Sequence, residues 1–136
     1  MTTVPSLEVV AAVFQRDKKF LAARKKSGLS NAGQWEFPGG KRKVAETFES
    51  ALIREITEEL RVDIEVGPSL GSYSHNTNAV KIELHCFVVS DWSGKFVPTD
   101  HDKLQWFSVD ELQSLRLSDA DLPFVERISD YLKSLD

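Results

Sequence analysis

The sequence predicts an α/β sandwich, an α+β arrangement in which a mixed β-sheet lies between helices. Two apolar stretches, Leu7–Phe14 and Phe20–Ala23, flank a charged turn and therefore predict a β-hairpin. Two later segments, Phe48–Leu60 and Leu122–Leu135, repeat apolar residues at helical spacing. Because further strand-like segments separate these two helices, we expect three layers, with the first helix on one sheet face and the last on the other.

A polar loop and a tight turn are predicted between the hairpin and the first helix. Residues 25–34 are polar and contain two glycines, 35–37 form a short extended segment, and 38–40 read Pro-Gly-Gly. Thr47 is a suitable N-cap for a helix that begins at Phe48. Apolar residues then recur one turn apart, which predicts that the helix continues to Leu60.

The centre of the chain is predicted to be rich in strands. Apolar or alternating segments between turn-like stretches favour four further strands: Ile64–Val66, Leu70–Ser74, Val80–Val89 and Leu104–Phe107. Ser108 can cap a short helix over Val109–Leu112. The C-terminal helix then covers one face of the sheet.

Length and composition narrow the class of protein. The 136 residues fit one domain over 1–136, and 41% hydrophobic residues supply enough apolar surface for a core. The net charge of −4 does not fit a protein that binds duplex nucleic acid through its phosphates. No apolar run is long enough for a membrane span, and the lone Cys86 cannot form an internal disulfide, so we expect a cytoplasmic protein. We expect a monomer or a weak dimer.

The first helix carries carboxylates where a purely structural helix would avoid them. Glu55, Glu58 and Glu59 fall within about 100° of the helix surface, beside its apolar face. Like charges at this spacing repel, and the negative end of the helix dipole adds to the cost. Arg54 could neutralise Glu58 through an i,i+4 pair, a hard divalent cation could bind the carboxylates, or the face could simply be solvated.

The surrounding residues resemble a known signature. Gly40, five residues, Glu46, seven residues and then the run Arg54-Glu55-Ile56-Thr57-Glu58-Glu59 resemble the Nudix box, found in hydrolases of nucleoside diphosphates linked to another moiety. Arg61 departs from the pattern, because the family has a glycine there that would act as a left-handed helix cap. The resemblance extends over most of the chain and is greatest to the MutT-type nucleoside triphosphate pyrophosphohydrolases.

This resemblance implies a metal site and a reaction. Mg²⁺ or Mn²⁺ would be bound by Glu55, Glu58, Glu59 and the carbonyl of Gly39, and the products would be a nucleoside monophosphate and pyrophosphate. Arg54 would be a catalytic residue that orients a helix glutamate. Glu46 would support the metal ligands from behind them or act as an occasional ligand, although both residues could instead be ordinary surface ions.

Several residues are candidates for the general base and for the phosphate contacts. The base is a helix glutamate or a loop acid, and Asp100 lies six residues before Trp106, where related enzymes carry that acid. The neighbours His101 and Asp102 could take its place, or the loop could only be solvated. Three further residues are predicted to bind the phosphates: Arg24, Lys25 and Gly40.

The base-binding residues are predicted to lie on two segments. Phe37 and Leu122 would form apolar walls, and Asp121 stands where MutT-type proteins place a residue that reads the base edge. Its alternative role is as the N-cap of the C-terminal helix. We therefore expect a pyrophosphohydrolase that removes 8-oxo-dGTP or cytosine nucleotides from the nucleotide pool. The other hypotheses are an RNA 5′ pyrophosphohydrolase and a non-catalytic nucleotide-binding module.

Overall fold

A computed structural model describes residues 4–28 and 32–135 of the chain. These residues form nine strands and three helices. In chain order the elements are β1 (Ser6–Arg16), β2 (Lys19–Lys25), β3 (Trp35–Glu36), β4 (Gly39–Lys41), α1 (Phe48–Leu60), β5 (Asp63–Glu65), β6 (Ser69–Asn76), β7 (Lys81–Val89), β8 (Asp91–Ser93), β9 (His101–Phe107), α2 (Val109–Ser114) and α3 (Phe124–Ser134).

Strand β1 is the centre of a mixed sheet. It runs parallel to β7, forms the predicted antiparallel hairpin with β2, and also pairs antiparallel with β4. Strands β3 and β9 both pair with β2, and β6 pairs with β7 at the other edge. Strands β5 and β8 form a separate two-stranded ribbon.

Residues 10–14 of β1 are all buried, because the strand contributes to two cores on opposite faces of the sheet. Val10, Ala12 and Phe14 pack with the apolar face of α1. Ala11 and Val13 pack into the second core, to which α3 contributes Phe124, Val125 and Ile128. The predicted α/β/α sandwich, with the first and last long helices on opposite faces, is therefore confirmed.

Helix α1 has the predicted bounds because both of its ends are set by local chemistry. The Thr47 hydroxyl accepts a hydrogen bond from the Ser50 amide at 3.0 Å. At the other end Arg61 adopts the left-handed conformation, with φ 62° and ψ 30°, and its amide donates to the Thr57 carbonyl at 3.1 Å. The helix thus keeps the left-handed cap although the glycine has been replaced by arginine.

Segment 38–40 is not the simple turn that the sequence predicts. Gly39 and Gly40 belong to strand β4, where they pair with Ala11 and Val10. A Cβ atom on Gly39 would overlap the carbonyl of Val10, so only glycine allows this close approach of two backbones. Pattern reading could not find this short strand, because glycines carry no apolar alternation.

Other elements differ from the prediction at their ends. Strand β8 was not predicted. Strand β9 begins at His101 and not at Leu104; its first three residues are polar and therefore gave no strand pattern. Helix α3 begins at Phe124, since Asp121 and Leu122 lie in a turn whose amides donate to the Ser118 carbonyl. Within the described ranges, no helix is long and apolar enough to cross a membrane.

The strained cap at Arg61 gives a stability prediction. Glycine adopts the left-handed conformation without the steric cost that arginine has there, so Arg61→Gly should stabilise the fold by about 0.5–1 kcal/mol, even after the added entropy of the unfolded chain. We expect the Tm to rise by about 3 °C in thermal denaturation. Arg61→Ala is the control, because it removes the side chain but keeps the strained backbone. An equal rise in both variants would show that the side chain, and not the cap, is responsible.

Candidate functional site

The guanidinium of Arg54 organises the acidic face of α1. Its Nε and Nη2 donate to both carboxylate oxygens of Glu46, at 2.7 and 2.9 Å, and Nη1 donates to Glu55 at 2.9 Å. A longer contact of 3.3 Å reaches Glu58, and Nη2 also donates to the Lys41 carbonyl. The i,i+4 pair predicted between Arg54 and Glu58 is therefore present, but the bidentate partner of Arg54 is Glu46.

The hydrogen bonds from Arg54 lower the pKa of Glu46 to about 2, and the bond from the Lys43 amide acts in the same direction. The same bonds raise the pKa of Arg54. Glu46 therefore stays ionised and holds Arg54 between β4 and the helix. Such an arrangement orients Glu55, but in the described part of the chain Arg54 does not contact one of the three glutamates on the acidic face of α1.

That glutamate is Glu59, which Arg54 does not contact among the pairs described. Its side chain is 11% exposed, whereas that of Glu58 is 58% exposed. Burial, together with the negative charges of Glu36 and Glu55, raises the pKa of Glu59 to about 8. A carboxylate in this position costs free energy unless a proton or a cation accompanies it.

Gly40 allows the helix glutamates to reach strand β4. A Cβ atom on Gly40 would overlap the carboxylate of Glu55, so this carboxylate lies directly against the glycine backbone. The preceding residue, Gly39, is on the same strand. The carboxylate of Glu55 therefore lies beside the strand that carries Gly39.

A cleft of about 460 Å³ begins at this strand and ends at the turn before α3. Its apolar floor is formed by residues that pair across β1 and β7, Leu7 with Ile82 and Val9 with Leu84. Polar side chains and glycine backbone also line the cleft: Lys25, Glu36, Gly39, Gly40, Lys41, Ser118 and Asp121. Such a mixture of apolar surface and a few polar groups is typical of a site for a small molecule.

Asp121 is a buried acid in this cleft and does not cap α3. The N-cap position is Pro123, and the Asp121 Oδ2 instead accepts a hydrogen bond from the Phe37 amide at 3.0 Å. Burial raises the pKa of Asp121 to about 7, although the Phe37 amide and the Ser118 side chain act in the opposite direction. Asp121 and Phe37, both predicted to bind the base, thus line the same cleft. The hydrogen bond between them was not predicted.

Two predicted residues lie away from the cleft. The described residues that line it do not include Arg24 or Leu122. The Arg24 Nε donates to Asp102 at 2.8 Å. Leu122 is half exposed and lines a separate depression beside Gln113 and Val125. Its predicted role as an apolar wall for the base stays a prediction.

The remaining predicted residues lie near the acidic face. Lys25 lines the cleft, and its Nζ is 3.9 Å from the Glu36 Oε2. Asp100 is exposed, its carbonyl accepts from the Lys26 amide, and its charge contributes to the raised pKa of Glu59. Sequence reading considered His101 only as a substitute for Asp100 and did not select Glu36.

Glu36, His101 and Glu59 form a compact cluster beside these residues. The His101 Nε2 lies 3.0 Å from the Glu36 Oε2, and its Nδ1 lies 3.4 Å from the Glu59 Oε1. Potential ligand atoms of the three residues all lie within 4.8 Å of one another. The cluster depends on β3 and β9 both pairing with β2, which the sequence gives no local signal for.

Comparison with known proteins identifies the family. A family model described as NUDIX domain matches residues 5–128. The chain belongs to the Nudix family. A CTP pyrophosphohydrolase of Escherichia coli is 38% identical over 120 residues, which cover 88% of this chain and 89% of that protein. A putative 8-oxo-dGTP diphosphatase 2 of Mycobacterium tuberculosis is 33% identical, and the match covers 83% and 81% of the two chains.

The fold comparison agrees with the sequence comparison. The solution structure of the E. coli ORF135 protein superposes with a TM-score of 0.87 at 34% identity, covering 96% of this chain and 94% of that one. The prediction of a Nudix hydrolase is thus confirmed at the level of family and enzyme class.

The residues present fit the divalent metal that Nudix hydrolases generally use. The donors gathered at α1 are carboxylate and carbonyl oxygens, which hard divalent cations prefer. Glu59 supplies a buried oxygen, Oε1, for which the described residues provide no hydrogen-bond partner. A cation at this face would offset the charge that burial makes unfavourable.

The buried Asp121 gives a prediction for the pH dependence of stability. Its pKa is raised from the ordinary 3.8 to about 7, so between these values the folded state retains a proton that the unfolded state loses. The contribution of Asp121 to the free energy of unfolding must then fall as the pH rises through this window. Asp121→Asn keeps an oxygen acceptor for the Phe37 amide but cannot ionise. We expect the Tm of this variant to exceed that of the wild type by an amount that grows from pH 4 to pH 7 and then levels off.

Asp119→Asn is the matched control, because Asp119 is exposed and lies two residues away. It should show no such pH-dependent advantage when both variants are melted over the same pH series without metal. If the Tm difference between Asp121→Asn and the wild type were instead the same at every pH, the Asp121 carboxyl would have an ordinary pKa in the folded state.

Proposed function

We propose that this Nudix hydrolase cleaves nucleoside triphosphates to a nucleoside monophosphate and pyrophosphate with the help of Mg²⁺ or Mn²⁺. One observation carries the proposal: the carboxylate face of α1, with its uncompensated Glu59, adjoins a cleft that contains the buried acid Asp121. The carboxylate face suits a metal ion bound to a polyphosphate, and the cleft suits the nucleobase of the same ligand.

The proposed metal ligands are Glu55, Glu58, Glu59 and the carbonyl of Gly39. Bound Mg²⁺ or Mn²⁺ would neutralise phosphate charge and lower the pKa of a coordinated water. Arg54 keeps Glu55 in place through its 2.9 Å hydrogen bond, and Glu46 in turn fixes Arg54. The two residues thus position a ligand and need not touch the substrate.

The phosphate-binding groups in this proposal are Lys25 and the backbone of Gly40, both of which line the cleft. Arg24 is a weaker candidate than the sequence suggested, because Asp102 already pairs with it. Asp100 is our proposed general base, since it is exposed on the loop before β9 and close enough to Glu59 to affect its pKa.

The proposed substrate is a cytosine nucleotide. Above its raised pKa of about 7, Asp121 is ionised and its carboxylate accepts hydrogen bonds but cannot donate them. In that form Asp121 suits the exocyclic amine of cytosine or of a guanine-like base rather than the carbonyl edge of uracil. Two of the relatives, a CTP pyrophosphohydrolase and a putative 8-oxo-dGTP diphosphatase, are named for nucleotides with bases of this kind. Phe37 is the proposed apolar contact for the base.

The metal ligands give a direct test of the proposed reaction. We expect pyrophosphate, and not orthophosphate, to be released from CTP, dCTP or 8-oxo-dGTP in the presence of Mg²⁺. Glu58→Gln removes a ligand charge, so kcat/KM should fall about 100-fold or more, whereas stability should change little because Glu58 is largely exposed. Glu65→Gln, an exposed change on β5, should leave turnover intact. Full activity of Glu58→Gln, or of the wild type in excess chelator, would contradict the proposal.

The role of Asp121 predicts a change in base selectivity. Asp121→Asn keeps an acceptor for Phe37 but presents an amide donor, so it should lower kcat/KM for CTP about 10- to 100-fold and leave UTP turnover unchanged or higher. Parallel assays of CTP and UTP hydrolysis with the wild type, Asp121→Asn and Asp119→Asn measure the ratio at a pH well above the Asp121 pKa of about 7, where the wild-type carboxyl is ionised. A uniform loss for both nucleotides would assign Asp121 to folding and remove it from base recognition.

A further inference from the structure

The cluster of Glu36, His101 and Glu59 contains a histidine nitrogen for which the described residues provide no hydrogen-bond partner. The His101 side chain is fully buried. Its Nε2 contacts Glu36 at 3.0 Å, but within residues 4–28 and 32–135 neither its Nδ1 nor the facing Glu59 Oε1 has a hydrogen-bond partner. Buried polar atoms are rarely left in this state, because each loses its hydration without compensation.

The chemistry of the ring determines what Nδ1 can do. The Glu36 carboxylate can only accept a hydrogen bond, so Nε2 carries the proton in this pair. In the neutral imidazole Nδ1 then presents a lone pair, and it faces a carboxylate oxygen. Two acceptor atoms that face each other require a positively charged or electron-accepting species between them.

The spacing of these two atoms suits a metal ion. Bonds of about 2.1 Å from a metal to nitrogen and to oxygen, at a roughly tetrahedral angle, place the two ligand atoms about 3.4 Å apart. The Nδ1 and Oε1 atoms are separated by 3.4 Å. Metal-binding histidines typically donate their other ring N–H to a carboxylate, which fixes the ring, and Glu36 is placed to accept that bond.

We propose that His101 Nδ1 is a ligand of the divalent metal, shared with Glu59 and oriented by Glu36. This inference rests on the proposed metal-dependent function and adds a nitrogen to a set of ligands that otherwise consists of oxygen atoms. Imidazole favours Mn²⁺, Co²⁺ and Zn²⁺ relative to Mg²⁺. The cluster would therefore bias metal choice at this site toward transition metals.

Pulsed electron paramagnetic resonance of the Mn²⁺-loaded protein tests the proposal directly, without an activity assay. We expect the echo modulation of a directly bound ¹⁴N nucleus, replaced by a ¹⁵N coupling when the protein is made with [¹⁵N]histidine. Because this comparison uses the wild-type chain, it does not depend on whether a variant of a buried residue folds. Bound Mn²⁺ with no histidine nitrogen coupling would overturn the proposal and leave the oxygen-ligated site in place.

Two variants then assign the nitrogen. The chain has three histidines, and His101→Gln keeps a donor near Glu36 while removing the Nδ1 lone pair. We expect it to abolish the nitrogen coupling and to raise the Kd for Mn²⁺ about tenfold or more, with a smaller change for Mg²⁺. His75→Gln, on β6, is the matched control and should change neither.

The outcomes separate this inference from the proposed function. Coupling that survives in His101→Gln but is lost in His75→Gln would overturn the assignment to His101. Equal weakening of Mn²⁺ and Mg²⁺ binding by His101→Gln, with no nitrogen coupling in the wild type, would show that a proton lies between His101 and Glu59. No binding of Mn²⁺ to the wild type would overturn the metal-dependent function itself.

Discussion

The close approach of β4 to its neighbours determines how the site is assembled. Gly39 lies against the backbone of β1, and Gly40 lies against the carboxylate of Glu55, in positions where a Cβ atom would overlap both neighbours. Because β4 fits between the central strand and α1, the Glu55 carboxylate and the cleft both adjoin this strand. A larger side chain at Gly39 would push β4 away from β1, and one at Gly40 would displace the Glu55 carboxylate of α1.

The charges at this edge are distributed unevenly. Arg54 is shared by Glu46, Glu55 and Glu58, which keeps those groups paired without any ligand. Glu59 is excluded from this network and is the most buried of the helix glutamates, so the cost of ionising it is concentrated at one side chain. The carboxylate that is most costly to ionise is therefore also the one that lies beside His101.

The parts of the fold that depend on local chemistry could be predicted from the sequence. The bounds of α1 follow from the Thr47 cap and from apolar residues one turn apart, and the glutamate face follows from helix geometry. Strand β4 could not be found, since its pairing depends on glycines that fit between other backbones. The cluster at His101 depends on two short strands pairing with β2, and such long-range pairing leaves no periodic signal. The predicted start of α3 was wrong because the apolar pattern begins at Leu122, two residues before the first helical residue.

The hydrogen bond between Asp121 and the Phe37 amide has a consequence for how this scaffold can evolve. The same side chain that lines the cleft also holds the segment that precedes β4, so a mutation that removes its acceptor oxygen would leave a buried amide unpaired. Asparagine retains that oxygen and alters the hydrogen-bonding pattern offered to a ligand. An aspartate–asparagine exchange, a single-nucleotide change in the codon, therefore keeps this structural hydrogen bond and changes the polar groups presented to the cleft.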